Sequence, residues 1–239
     1  MERRHLAECG STNTEALSHL REGGGALLVS ATRQTAGRGR LGRAWQSDGA
    51  ALTFSIALPM PSELDLSGLS LAVGCTVADV LDASGERIRL KWPNDLFLDG
   101  AKLGGILIET VPLAGERRGV VIGVGINLQP LPADADRSVF ASGHAALQAL
   151  DPTATAGSTL DRLAPALKAM LADFETLGFA PWQPAFARRD LVQGQRVRVG
   201  EQPGTARGVT ARGELLLETA AGTLPISGGE LSLRLENAS

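Results

Sequence analysis

The stretch "RQTAGRGRLGRAW", Arg33 to Trp45, places four arginines and three glycines in thirteen positions. Packed side by side, Arg33, Arg38, Arg40 and Arg43 repel one another, so the stretch suits a site that receives an anion. Glycines let backbone N–H groups approach such a ligand closely, and guanidinium forks supply paired donors. The pattern GxxxxGK[ST] of a phosphate loop is absent from the chain, and the GxGxxG spacing at Gly37–Gly42 opens no helix. By itself the stretch reads equally as a solvated surface loop or a nucleic-acid tether.

Four further groups carry chemistry-bearing residues. "KWPNDLFL" sets a cation, an amide and a carboxylate, Lys91, Asn94 and Asp95, around a proline corner between two strand-like runs. The same residues also make a sound turn. "AKLGGILIE" puts Lys102 just ahead of Gly104 and Gly105 within a strand pattern, where paired glycines admit a ligand or another backbone. "VIGVGINLQ" leaves room at Gly123 and Gly125 beside a buried strand that ends in Asn127. "ECGSTNTEA" offers the small polar residues Ser11, Thr12 and Asn13 at a helix start, a position that helix capping alone would explain.

The elements that must position these groups follow from periodicity. "RHLAEC" reads as a strand. "STNTEALSHLREGGG" reads as a helix capped by Ser11 or Thr12 and stopped by Gly23 to Gly25. "ALLVSA" and "ALTFSIAL" read as strands flanking the arginine stretch. "LSGLSLAVGCTVADVLDA" repeats apolar residues at helical spacing. A meander of antiparallel strands is predicted from Arg87 to Asn127, with Asp99-Gly100 as one hairpin turn. "GHAALQAL" and "PWQPAFARRD" suggest short helices. "TLDRLAPALKAMLADFETLG" suggests a long amphipathic one with Pro165 in its first turns, where proline is tolerated. Five short β runs in the last 49 or so residues suggest a small barrel. The expected domains are therefore 1–189 and 190–239.

Bulk properties narrow the class. The chain has 239 residues, 44% of them hydrophobic, and a net charge of −3, which argues against a general nucleic-acid coat. Cys9 and Cys75 form no disulfide framework, the three histidines are scattered, and no CxxC occurs. Neither a signal-peptide core nor an apolar run of roughly 18 residues is present, so a cytoplasmic location without membrane contact is expected.

Taken in order, "STNTEA", "QTAGRGRLGRAW", "KWPNDL", "KLGGILIE" and "GVGINL" resemble the biotin–protein ligase family over essentially the whole chain. "GELLLETAAGTLPISGGELSLR" is similar to that family's C-terminal domain. The resemblance implies an α+β catalytic fold: a mixed, largely antiparallel sheet flanked by helices, like a class II aminoacyl-tRNA synthetase, followed by a small SH3-like β-barrel. The catalytic pattern starts by Ser11, so the short class without an N-terminal DNA-binding domain is expected. A repressor role is not.

The implied reaction activates biotin with ATP to biotinyl-5′-AMP and passes biotin to a lysine of a biotin carboxyl carrier domain of acetyl-CoA carboxylase. It asks for fixed cations rather than an enzyme nucleophile, because a carboxylate must approach a polyphosphate. The resemblance assigns Arg40 and Lys102 to the reacting centre. Ser11, Thr12, Asn13 and Gln34 go to the ureido ring. Arg38 to Trp45 form a lid over biotin and the acyl phosphate that orders on loading, Gly37, Arg38, Gly39 and Arg40 line the biotin side, and Gly104, Gly105 and Ile106 line a slot for the valeryl chain. Trp45, Lys91, Asn94, Asp95, Asn127 and Arg234, together with Arg38, Arg40 and Lys102, go to ATP, with Asp95 on Mg²⁺. Arg234 reads equally as a solvated strand residue. Leu41 stands where some relatives carry arginine, Gly104 where some carry alanine, and the chain has no tyrosine. Lipoate–protein ligation is the alternative activity, and monomer and weak homodimer stay equally open.

Overall fold

The structure is a computed structural model that describes residues 1–45, 48–130, 142–229 and 231–233. The chain runs through β1 (Glu2–Cys9), α1 (Thr12–Arg21), β2 (Leu27–Gln34), β3 (Asp48–Pro61), α2 (Leu69–Leu81), β4 (Ile88–Lys91) and β5 (Asp95–Leu98). It continues through β6 (Ala101–Pro112), β7 (Arg117–Asn127), α3 (Ala156–Leu177) and α4 (Gln183–Arg189). The last strands are β8 (Arg196–Val199), β9 (Gln202–Val209), β10 (Leu215–Thr219), β11 (Gly222–Ile226) and β12 (Leu231–Leu233). Its contacts divide it into two units, Met1–Leu64 with Gly100–Leu163, and Asp65–Asp99 with Ala164–Ser239.

The first unit is a mixed sheet in the order β1-β2-β3-β7-β6. β1 and β2 are parallel, joined by α1 as crossover, and the other pairs are antiparallel. Strand alternation sorts β3 into two faces. Phe54 and Ile56 point one way, and Thr53, Ser55 and Ala57 the other, all of them buried. The second of these faces carries α1. Ala16, Leu17 and Leu20 pack there on Leu27, Val29, Ala57, Val111 and Val121. Beneath the first turn of α1 the same face turns polar, with Ser55 and Thr53 in place of aliphatics.

In the second unit, α2 is buried nearly all round. It starts at Gly68, whose φ is +75° and whose Cα lies so close to Phe179 that a Cβ would meet that ring at 2.5 Å. β4 and β5 form a hairpin in the register Ile88↔Leu98 to Lys91↔Asp95. Trp92 Nε1 donates to the Gly213 carbonyl at 3.0 Å, and Ser70 Oγ to that of Pro93 at 2.8 Å. The five predicted C-terminal strands are present as a sheet in the order β11-β10-β9-β8-β12, and no ladder among the described residues joins β11 to β12.

Three local expectations are corrected. Pro165 lies in the interior of α3, which begins at Ala156 rather than near Thr159. The reason is a reciprocal cap one turn earlier, in which Ser158 N donates to Thr155 Oγ1 and Thr155 N to Ser158 Oγ, both at 3.1 Å. At α1, Ser11 is the cap residue but makes no side-chain cap hydrogen bond. "GHAALQAL" forms only a 3₁₀ turn at Leu147–Ala149. Asp99 and Gly100 adopt the positive φ values, 50° and 83°, that the predicted hairpin turn needs.

Candidate functional site

The arginine stretch is a miniature hairpin. Trp45 N donates to Gly37 O at 2.9 Å and Gly39 N to Arg43 O at 2.7 Å, and Arg38 bridges Ala44 between them. Leu41 and Gly42, at φ 55° and 74°, turn the tip, and Leu41 is 75% exposed there. The root is tied to the residues that lead into α1, because Thr35 N and Ala36 N donate to the carbonyls of Cys9 and Gly10. The arginine stretch and the Ser-Thr-Asn group, which sequence presents as separate motifs, therefore share an anchor.

Ser11, Thr12 and Asn13 are all buried. Thr12 N and Thr12 Oγ1 both donate to Gln34 Oε1, at 2.7 and 3.1 Å. That turns the Gln34 amino end toward Gly37, where a Cβ would meet it at 3.0 Å. Ser55 Oγ lies 2.6 Å from Asn13 Oδ1 and 2.8 Å from Thr12 Oγ1, with a single proton to share between them. Asn13 Nδ2 donates to Leu107 O at 3.3 Å and to Glu109 Oε2 at 2.8 Å. Glu109 also accepts from Arg38 Nη2 at 3.1 Å on each oxygen.

Register explains the seating. Ser55, Gly123 and Leu107 form one row across β3, β7 and β6, and Thr53, Gly125 and Gly105 form the row two residues along on the same face. A Cβ at Gly123 would meet Asn13 Oδ1 at 2.2 Å, and one at Gly125 would meet the Trp45 indole at 2.5 Å. The two glycines of "VIGVGINLQ" are thus the floor on which the Asn13 amide and the Trp45 ring stand side by side. The Trp45 Nε1 donor is buried and has no acceptor among the described residues. Gly104 has a different neighbour, since its Cβ would meet the Gly125 carbonyl at 2.4 Å. Ile106 pairs with Val124 in the row of Phe54, on the opposite face of the sheet from Asn13.

Lys102 and Asn127 are held at the ends of adjacent strands. Asn127 Nδ2 donates to the carbonyls of Lys102 and Ala145, each at 3.2 Å, and Lys102 N donates to Ser142 O at 3.1 Å. In the second unit, the Lys91 ammonium sits 5.9 Å from the centre of the Phe97 ring. Lys91 faces Asp95 across the corner that carries Asn94. Arg234 lies outside the described residues. No group of three or more His, Cys, Asp or Glu side chains able to hold a metal occurs among the described residues. Ser55 and Glu109 are the site residues that sequence reading missed.

An interlocked cluster of buried, uncharged polar side chains thus stands beside an arginine-rich hairpin on one face of the sheet. Residues 9–127 match the family described as Biotin/lipoate A/B protein ligase family, and residues 193–234 match the Biotin protein ligase C terminal domain. The bifunctional ligase/repressor BirA of Escherichia coli is 37% identical over 237 residues, covering 94% of this chain and 71% of that protein. The biotin–[acetyl-CoA-carboxylase] ligase of Paracoccus denitrificans is 32% identical over 239 residues, covering 95% and 98%. The biotin protein ligase of Aquifex aeolicus, solved in complex with biotin and ATP, superposes with a TM-score of 0.79 at 28% identity over 98% of each chain. The chain belongs to the biotin protein ligase family.

Proposed function

We propose that the protein joins biotin to a lysine of a biotin carboxyl carrier domain of acetyl-CoA carboxylase, in two steps that consume ATP. The observation that carries this reading is the seating of Asn13 and Trp45 on Gly123 and Gly125, which sets the small polar cluster and the arginine hairpin on one face of one sheet.

In the first step a biotin carboxylate oxygen attacks the α-phosphorus of ATP, and the bond to pyrophosphate breaks. In the second, the carrier lysine amine attacks the acyl carbon of biotinyl-5′-AMP, AMP leaves, and the amine loses a proton. Both steps need charge offset and alignment rather than an enzyme nucleophile. Arg40 and Lys102 supply the charge. The Asn127 amide fixes the Lys102 backbone, and thereby the origin of that side chain. A buried ureido group needs its carbonyl and both N–H groups satisfied. The Ser11 hydroxyl, not used as a helix cap, and the Gln34 amino end, turned away from Thr12, are groups suited to meet it. Asn13, whose N–H groups are engaged within the chain, serves the ring by holding the pocket's shape.

Lys91, Asn94 and Asp95 are assigned to the nucleotide. A single carboxylate, Asp95, suits Mg²⁺ held chiefly by phosphates and water, and the ion would add positive charge there when bound. Division at Arg189–Asp190 belongs to the same reading, since the two family matches fall on either side of it. So does a cytoplasmic location. No helix among the described residues is long and apolar enough to cross a membrane. Incubation with biotin, ATP, Mg²⁺ and a carrier domain, followed by intact-mass measurement, tests the reading. A mass gain of one biotinyl group is expected, and an unchanged carrier rejects it. Pyrophosphate exchange with lipoate but not with biotin would move the substrate to the alternative acid.

A further inference from the structure

Glu109 closes the "KLGGILIE" stretch, where sequence reading gives it no role. Strand alternation puts Gly105, Leu107 and Glu109 on the face that carries α1. Leu107 lies in the row beneath Asn13, and Glu109 is one repeat further along β6. Its carboxylate takes Arg38 Nη2 on both oxygens and Asn13 Nδ2 on one. The Arg38 and Glu109 side chains are 45% and 29% exposed, so the pair stands at the mouth of the buried cluster, within reach of solvent.

We propose that Glu109 is a positioning residue, a latch that fastens the arginine hairpin to the Asn13 cluster through Arg38. The hairpin's internal bonds fix its shape but not its place. One leg is tied by Thr35 and Ala36 to Cys9 and Gly10, the other is seated by Trp45 on Gly125, and the Arg38–Glu109 pair closes the mouth between them. Through Asn13 and Ser55 the latch ties hairpin position to the ring cluster, so its loss weakens capture of biotin more than it slows the loaded enzyme. The effect on biotin rests on the ligase reading, whereas the latch does not.

Trypsin tests the latch without any ligand, because the hairpin offers cleavable bonds after Arg38, Arg40 and Arg43. In Glu109→Gln the length and an acceptor for Asn13 remain while the charge is lost. Cleavage at these bonds, measured by mass against the bond after Arg212, should rise roughly three- to fivefold, with the thermal midpoint held within about 2 °C. Raising salt from about 0.05 to about 0.5 M should speed hairpin cleavage in the wild type and not in the variant, as screening of a half-exposed pair requires. The KM for biotin should rise by a similar factor while kcat at saturating biotin stays within about twofold. If Glu109→Gln fails to fold, Glu109→Asp, which keeps the charge but shortens the reach, should show the same faster cleavage. Wild-type cleavage in the folded variant, or an unchanged biotin KM, overturns the proposal. A wild-type enzyme that never labels a carrier, yet shows the expected cleavage pattern, rejects the ligase reading and leaves the latch standing.

Discussion

Each unit of the molecule buries one polar network, and the two are built to opposite rules. In the second unit Arg189, 4% exposed, is surrounded by acceptors. Its guanidinium donates to Asp79 Oδ1 at 3.0 Å, Asp82 Oδ2 at 3.3 Å, the Ile88 carbonyl at 3.1 Å and the Asp82 carbonyl at 2.7 Å. Asp82 is closed as completely, by Ser84 Oγ and by the N–H groups of Arg87 and Ile88. In the first unit the network of Gln34, Thr12, Ser55 and Asn13 is built of uncharged side chains and meets a charge only at its edge, where Asn13 Nδ2 donates to Glu109. A closed ionic network holds backbone segments together. In the ligase reading, an open, uncharged one holds a shape and leaves the Gln34 amino end for a ligand. Burial of polar groups alone does not separate the two roles, whereas saturation does.

The largest expected effect breaks the closed network. Replacing Arg189 by methionine leaves Asp82 buried with a charge that has lost its cation, a change that costs about 3–5 kcal/mol. Urea unfolding of Arg189→Met should show that loss. Biotin affinity, measured where the variant remains folded, should stay that of the wild type. Next come the cations proposed for the reacting centre. Lys102→Ala and Arg40→Ala should each slow single-turnover adenylate formation by roughly 10²- to 10³-fold, with thermal midpoints near that of the wild type. Wild-type rates in both would remove them from the chemistry.

The third effect concerns an exception within the second unit. Asp190 is 8% exposed and takes Val192 N at 3.0 Å on one oxygen, while the other has no partner among the described residues. Burial pushes its carboxyl up to about 6, against the opposing pull of the Val192 N–H. The folded state therefore holds this proton more tightly than the unfolded chain. Stability from this group is fullest below about pH 4, falls as pH rises toward about 6, and stays at its lower level above that. Asp190→Asn removes the buried charge and keeps an amide oxygen that can accept from Val192 N. It should be more stable than the wild type at pH 7 by about 2 kcal/mol, with the difference vanishing near pH 4. Midpoints compared across that range check both the size and the direction. Asp82 runs the other way. Burial raises its carboxyl, but the hydrogen bonds from Ser84, Ile88, Arg87 and Arg189 outweigh burial and hold it at about 2, so its contribution is lost only in strong acid.

What sequence reveals of the two networks differs for the same physical reason. The open one is assembled from short motifs, Ser-Thr-Asn at a helix start, the arginine stretch and the spaced glycines, because a ligand site demands unusual residue types close together. Those motifs were legible, and so were the strands and helices that carry them. Ser55 and Glu109 were not, because in "ALTFSIAL" and "GILIE" each is an ordinary alternate residue of a half-buried strand. Their roles follow from the register of β3, β7 and β6 beneath α1, which is a non-local property. The hairpin's internal pairing was hidden by its glycines, which suggest freedom where the structure shows two close-spaced backbone bonds. Arg189 was illegible altogether. At the end of a short helix beside Arg188 it looks like a solvated residue, and its partners lie more than a hundred positions away. Pro165 was misplaced because the Thr155–Ser158 cap that starts α3 lies in a stretch that reads as loop.

The smallest effect sharpens the comparison most, because it removes one hydroxyl from each network. Ser55 Oγ is fully buried and supplies the single proton shared by Asn13 Oδ1 and Thr12 Oγ1. Ser55→Ala leaves the Asn13 oxygen without that donor, and leaving a buried acceptor unsatisfied costs on the order of 1–2 kcal/mol. Asn13 keeps its bonds to Leu107 O and Glu109, so it tilts rather than leaves, and the ring pocket loses definition. Biotin affinity should fall by roughly three- to tenfold while kcat at saturation is little changed. In the closed network Ser84 donates to Asp82 Oδ1 at 2.6 Å. Ser84→Ala takes away one of several donors to that carboxylate, so stability falls by about 1 kcal/mol or less, and biotin affinity does not move. Calorimetric titration of both variants with biotin separates the cases. Equal loss of stability with unchanged affinity in both would mean that the Thr12–Ser55–Asn13 network is as purely structural as the one around Arg189.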